Sequence, residues 1–186
     1  MNQNETRIEI RRNRYLNRLI DRMHNGLGKL VTGIRRCWKT YLLFNLFDDY
    51  LCSKIANGRE QYYVFPDEAQ YAISREELKN TGVPPRLYGV LNGLLRMRNV
   101  DAYVTGSNSK PLSRRHDGVT GRGDEVRVRP LSFSEFMRAF DGDRCQGWAE
   151  YAAYGGMPLT LSMRTDRQKA HYLERPFEET SSSRPI

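Results

Sequence analysis

Between positions 33 and 40 the chain reads Gly33-Ile34-Arg35-Arg36-Cys37-Trp38-Lys39-Thr40, a glycine followed at fixed spacing by a lysine and a hydroxyl. That spacing suits a polyphosphate. Loop N–H groups and a helix N-terminus cradle anionic oxygens, Lys39 would neutralise β- and γ-phosphates, and Thr40 would ligate Mg²⁺. The pattern is G-x-x-x-x-G-K-[ST], matched at every fixed position except one. Trp38 stands where the pattern has glycine, whose missing Cβ lets the backbone approach the phosphates. An indole there is expected to weaken or abolish nucleotide binding, unless the ring swings outward and the backbone keeps its course.

A second group of residues fits the same chemistry. Tyr62-Tyr63-Val64-Phe65-Pro66-Asp67-Glu68 is an apolar run ending in two acids. After a phosphate loop, Asp67 is placed to hold the Mg²⁺ shell and Glu68 to polarise an attacking water as general base. Two acids at a surface turn are the plainer alternative. Pro66 is irregular in either case, because proline removes a ladder donor and sits poorly in a central strand. Thr105-Gly106-Ser107-Asn108-Ser109 closes the next apolar run, and Asn108 there is a candidate sensor of the γ-phosphate. Arg122, within Gly121-Arg122-Gly123-Asp124, could stabilise charge on a phosphoryl group in cis or from a neighbouring subunit. Pairing with Asp124 or Glu125 is an equally good account of it.

The elements that must position these residues follow from periodicity. Thr6 to about His24 reads as an amphipathic helix with Tyr15, Leu16, Leu19, Ile20 and Met23 on one side. Arg11, Arg14, Arg18 and Arg22 form another stripe, read first as a solvated face and second as a nucleic-acid contact. Lys29–Thr32 is a short strand, and a helix is expected from about Lys39 to Ser53 with Leu42, Leu43, Leu46, Phe47, Tyr50 and Leu51 on its apolar face. Asn57-Gly58 marks a turn within Ile55–Glu60. Strands are expected at 62–65, 101–105 and 125–128, and helices at 87–96 and 169–179, with a polar segment at 74–85. Short apolar strands alternating with helices predict an α/β fold on a mostly parallel sheet, with ligands beyond the carboxyl ends of the strands.

Composition narrows the function classes. The chain of 186 residues carries 30 Lys+Arg against 22 Asp+Glu, a net charge of +8. Residues 1–40 hold ten Lys/Arg and three Asp/Glu, a net of +7, so the surplus lies in the first fifth of the chain and favours an anionic partner there. No run approaches the ~20 apolar residues of a bilayer span, which predicts a soluble, cytoplasmic protein with no membrane partner. Cys37, Cys52 and Cys145, with three scattered histidines, suggest neither a disulfide framework nor a zinc site.

In order, these segments resemble a family, the prokaryotic AAA-type ATPases whose P-loop domain precedes a domain of unknown function (DUF4143). The resemblance rests on Val31–Cys37, Tyr103–Lys110, Gly121–Glu125, Pro130–Phe136 and Tyr154-Gly155-Gly156-Met157-Pro158, and it covers residues 8 to 178. It implies an ASCE-type P-loop core with Walker A at Gly33–Thr40, including Arg36 and Cys37 beside the phosphates, and Walker B at Tyr63–Glu68. It also implies the Thr-Gly-Ser-Asn-Ser segment as sensor region, Arg122 as a motor-type arginine, and ATP with Mg²⁺ as cofactors. The expected organisation is a basic helix at 1–27, an ATPase core at 28–140, a helical extension at 141–180 and a frayed tail at 181–186.

This chain departs from the family at Trp38 and Pro66, in the short stretch between Leu51 and Tyr62, and after Leu173, where relatives continue into a C-terminal domain. The short stretch predicts a sheet lacking one edge strand. Together the departures fit a shortened or decaying copy, or an error in the recorded sequence. Two functions therefore compete: ATP binding with hydrolysis to ADP and phosphate, in a possible homo-oligomer, and a nucleotide-independent module binding nucleic acid or protein. Trp38 weakens the first and leaves the second untouched.

Overall fold

The computed structural model describes residues 10–54, 61–79, 83–107 and 123–181. The predicted turn at 55–60, the start of the first helix and the last five residues lie outside them. The chain divides into two units, one comprising residues 12–34 and 38–129 and the other residues 1–11, 35–37 and 130–186.

The first unit is built on a four-stranded sheet in the order β2-β3-β1-β4, with β1 Gly28–Thr32, β2 Tyr62–Val64, β3 Val100–Gly106 and β4 Gly123–Arg127. All three pairings are parallel, with Leu30 beside Val104 and Thr32 beside Gly106 on one side of β1 and Arg127 on the other. Every residue of β1 is buried, as expected of a parallel strand covered on both faces. The α/β fold with a mostly parallel sheet is as the sequence predicts.

Helices cover the two faces. α1, Asn13–Ile20, buries Tyr15 and Leu19 at helical spacing. It is shorter than predicted and contains only Arg14 and Arg18 of the arginine stripe. Arg22 follows it and pairs with Asp124 at 2.6 Å, so the stripe is not a continuous free surface. α2 spans residues 39–54, α-helical over Lys39–Tyr41 and Asp48–Lys54 with a π-helical stretch Leu42–Phe47 between. Its buried Leu42, Leu43, Phe47 and Leu51 each gain about 1.5–3 kcal/mol from leaving water. Phe47 lies 4.7 Å from the Tyr103 ring and 6.2 Å from Phe65.

The opposite face packs Leu30 and Val104 against Ala69, Ile73, Tyr88 and Leu91. These come from a 3₁₀ turn at Ala69–Ala72 and from α4, Arg86–Leu95, with α3, Arg75–Lys79, between them. Sequence periodicity missed α3, which is only five residues long. Pro66 is tolerated because β2 ends at Val64. Its missing N–H falls past the ladder, while its carbonyl still accepts from Thr105 at 2.9 Å.

The second unit is helical, with α5 Phe133–Met137, α6 Arg144–Tyr154 and α7 Asp166–Ser181. The Pro-Leu-Ser-Phe-Ser-Glu-Phe segment is a helix start: Ser132 and Glu135 cap α5 reciprocally, and Asp143 and Gln146 do the same for α6. Gly155 ends α6 at φ 72°, and Gly156 accepts a 2.7 Å hydrogen bond from Leu131 N–H where a Cβ would lie 2.0 Å from the Leu131 carbonyl oxygen. Gly155 is thus required by its backbone conformation and Gly156 by packing. Arg36 donates to the Tyr172 carbonyl at 2.7 Å and lies 4.7 Å over the Tyr172 ring.

Candidate functional site

β1 runs into the loop at Gly33, whose φ of 153° is open to glycine alone, and the chain re-enters a helix at Lys39. Arg36 and Trp38 are both left-handed, with Trp38 at φ 62° and ψ 39°. A glycine would adopt that conformation freely, whereas for an L-residue it costs about 1–2 kcal/mol. The backbone at Trp38 therefore takes a course that glycine adopts without strain. The indole packs against Tyr41 in the first turn of α2, ring centroids 4.5 Å apart. The Trp38 carbonyl accepts the N–H of Leu42 at 3.0 Å, so the helix starts normally.

Lys39 is buried, and its ammonium donates to the carbonyls of Gly33 and Ile34, each at 3.2 Å. It also stands 3.9 Å from Glu68 Oε1. Thr40, exposed on the next position, donates its hydroxyl to the Asp67 carboxylate at 3.1 and 3.2 Å. The structure thus brings Lys39 and Thr40, at the start of α2, next to Asp67 and Glu68, beyond the end of β2.

Thr105, buried at the end of β3, joins the two acids. Its hydroxyl donates to Asp67 Oδ1 and accepts the Glu68 N–H at 2.8 Å. Glu68 is left-handed at φ 47°. Its Oε2 accepts from Gln70 Nε2, from the Ser107 hydroxyl at 2.8 Å and from the Ser107 N–H at 3.2 Å. Partial burial pushes the Glu68 carboxyl up, but the hydrogen bonds from Gln70 and Ser107 and the Lys39 charge outweigh it and hold the group below its ordinary range. Glu68 is therefore ionised at neutral pH.

Sequence reasoning did not single out Gln70, Thr105 or Ser107. The last two sit in the segment expected to act as a sensor, whose candidate residue is Asn108. Gln70 carries no signal beyond its place two residues after Glu68. Asn108 and Arg122 lie outside the described residues. Cys37 is buried. Among the described residues no group of three or more His, Cys, Asp or Glu forms a metal cluster, and no helix is long and apolar enough to cross a membrane. Thr40 and Asp67 still suit Mg²⁺, which takes one or two protein oxygens and completes its shell with phosphate and water.

Against solved structures, the chain superposes on a Walker-type ATPase of Pyrococcus abyssi with a TM-score of 0.57, over 94% of this chain and 73% of that one, at 17% identity. The fold is that of a Walker-type P-loop ATPase. Residues 51–137 match a family described as AAA domain, which takes in the candidate Walker B segment and the end of β3. An uncharacterized protein of Haemophilus influenzae is 25% identical over 190 aligned positions, covering 82% of this chain and 44% of that protein. The chain spans less than half the length of that relative. Within the P-loop fold, the loop after β1 and the ends of β2 and β3 stand at the carboxyl ends of parallel strands, where such sheets bind ligands.

Proposed function

We propose that this chain binds ATP with Mg²⁺ in the loop from Gly33 to Thr40 and hydrolyses it to ADP and phosphate. The observation that carries the reading is Trp38, which keeps the left-handed conformation of the expected glycine and packs its ring on Tyr41. A loop that keeps this backbone course would present its N–H groups to phosphate oxygens despite the substitution. Lys39 exchanges its two loop carbonyls for β- and γ-phosphate oxygens. Thr40 and Asp67 would hold Mg²⁺, which neutralises charge on the phosphates when bound. Glu68 accepts a proton from water as the water oxygen bonds to the γ-phosphorus and the bond to the β–γ bridging oxygen breaks, leaving ADP and inorganic phosphate. Arg36 and Cys37 belong to the cradle, Asn108 contacts the γ-phosphate, and Arg122 offsets developing charge in cis or from a second copy.

The reading keeps residues 28–140 as a cytoplasmic ATPase core between a basic lead-in at 1–27 and a helical extension at 141–180. Steady-state phosphate release by the wild type and Glu68→Gln tests it. Hydrolysis that the substitution lowers by roughly 10²–10⁴-fold, with Mg-ATP binding retained, supports the assignment. Equal release from both chains contradicts it. Salt-dependent retention on DNA that is lost when Arg11, Arg14, Arg18 and Arg22 become Ala, with no nucleotide binding, would favour the nucleotide-independent module instead.

A further inference from the structure

Glu68 is held more firmly than a general base requires. Three donors from two residues converge on one of its oxygens, Oε2: the Gln70 amide, the Ser107 hydroxyl and the Ser107 N–H. Gln70 Nε2 also donates to the Ser107 hydroxyl at 3.0 Å, closing a triangle of side chains. An oxygen with two lone pairs and three donors has no acceptor capacity left for a water. The other oxygen, Oε1, points to the Lys39 ammonium at 3.9 Å.

The backbone adds a second, independent sign of design. Glu68 sits at φ 47° and ψ 45°, which a non-glycine residue occupies only where its surroundings fix it. The Thr105 hydroxyl takes the Glu68 N–H, so main chain and side chain are both tied to the end of β3. Gln70 spends its donors on this arrangement. Its own Oε1 is buried with no partner among the described residues and remains an acceptor beside the carboxylate.

We infer that Gln70 and Ser107 are positioning residues that clamp Glu68 Oε2 and so reserve Oε1, on the Lys39 side, for the proton of the attacking water. The inference rests on the ATPase reading, which supplies the water and the phosphate. It adds the means by which one carboxylate oxygen is selected, and it ties that selection to the strand end next to the sensor segment.

Ser107→Ala, Gln70→Ala and Gln70→Glu, the last isosteric but without the amide donor, test the clamp in the full chain. Each is expected to lower kcat about tenfold or more while leaving the calorimetric affinity for a non-hydrolysable Mg-ATP analogue unchanged, and Ser107→Thr is expected to restore kcat. Unchanged kcat in all three, or affinity falling in step with kcat, overturns the proposal. A readout without turnover keeps the two claims separate. Exchange of the Ser107 N–H, followed by NMR, is expected to be slow in the wild type and at least tenfold faster in Glu68→Ala. Equal exchange in the two chains overturns the clamp even if ATP is hydrolysed. Slow wild-type exchange released by Glu68→Ala supports the clamp even if no chain binds nucleotide, in which case the ATPase reading alone fails.

Discussion

The Thr40 hydroxyl lies 3.1 and 3.2 Å from the two carboxylate oxygens of Asp67, although the residues are 27 positions apart and stand on different elements. Under the proposed ATPase reading, this contact preassembles two hard oxygen ligands for Mg²⁺ at the mouth of the Gly33–Thr40 loop. Thr40→Ala should remove one of them without disturbing the core, since Thr40 is exposed. Nucleotide affinity measured with Mg²⁺ is expected to fall by about tenfold, or ~1.4 kcal/mol, towards the value measured in a chelator. An unchanged Mg²⁺ dependence in this variant would separate the contact from metal binding.

Trp38→Gly removes a left-handed L-residue, relieving about 1–2 kcal/mol, but also loses the ring pair with Tyr41 and adds unfolded-chain entropy of about 0.5–1 kcal/mol. These terms oppose each other. The urea midpoint of the variant should therefore stay close to wild type. Replacement by Ala, which keeps the left-handed cost and loses the ring, should be the less stable of the two.

The double glycine makes a sharper stability prediction. A Cβ at Gly156 would stand 2.0 Å from the backbone oxygen of Leu131, which cannot yield as a flexible side chain would. Gly156→Ala is expected to cost about 2 kcal/mol or more. Gly155→Ala meets no atom within 4 Å but must hold φ 72° and ψ −166°, a region essentially reserved for glycine, and should cost about 1–3 kcal/mol. Denaturant unfolding of the two variants, compared side by side, checks both costs.

A buried polar cluster supports the sheet away from the loop. Lys29 and Asp101 form an ion pair with both residues buried, and Asp101 also accepts from the His24 N–H and the Tyr103 hydroxyl, each at 3.0 Å. Removing one partner leaves a buried charge, so Asp101→Leu is expected to lose about 3–5 kcal/mol. Burial pushes the Tyr103 phenol well up from its ordinary value of 10.0, and the Asp101 charge adds to this. The folded state keeps that proton where the unfolded chain releases it. Its contribution is therefore complete below about pH 10 and lost as pH rises further. Urea midpoints should fall above that pH in the wild type, and less steeply in Tyr103→Phe.

The sheet, the loop and the two acids were legible because each follows from a local pattern. Apolar runs gave the strands, and Gly33, Lys39 and Asp67 stand at the spacing expected of a phosphate loop and a following metal-holding acid. The first helix was overextended because its periodic apolar residues continue past Ile20 into a turn. The Trp38 conformation was not legible, since sequence cannot say whether an indole reshapes a loop or accepts its backbone. Gln70 and Ser107 were also hidden. Their role depends on β2 and β3 lying side by side, and small polar residues at strand ends have the same signature as ordinary turns. The segments Pro130–Phe136 and Tyr154–Pro158 were visible as motifs, but their meaning is structural, a capping box and a close backbone approach.

The central proposal is that the Gly33–Thr40 loop accepts a nucleotide with tryptophan in it. Calorimetric titration of Mg-ATP into the wild type and Trp38→Gly, with indole fluorescence followed in parallel, measures this directly. The predicted result is saturable binding by both chains, tighter in the glycine variant, and a fluorescence change in the wild type that the variant lacks. No heat and no fluorescence change in either chain would contradict the account.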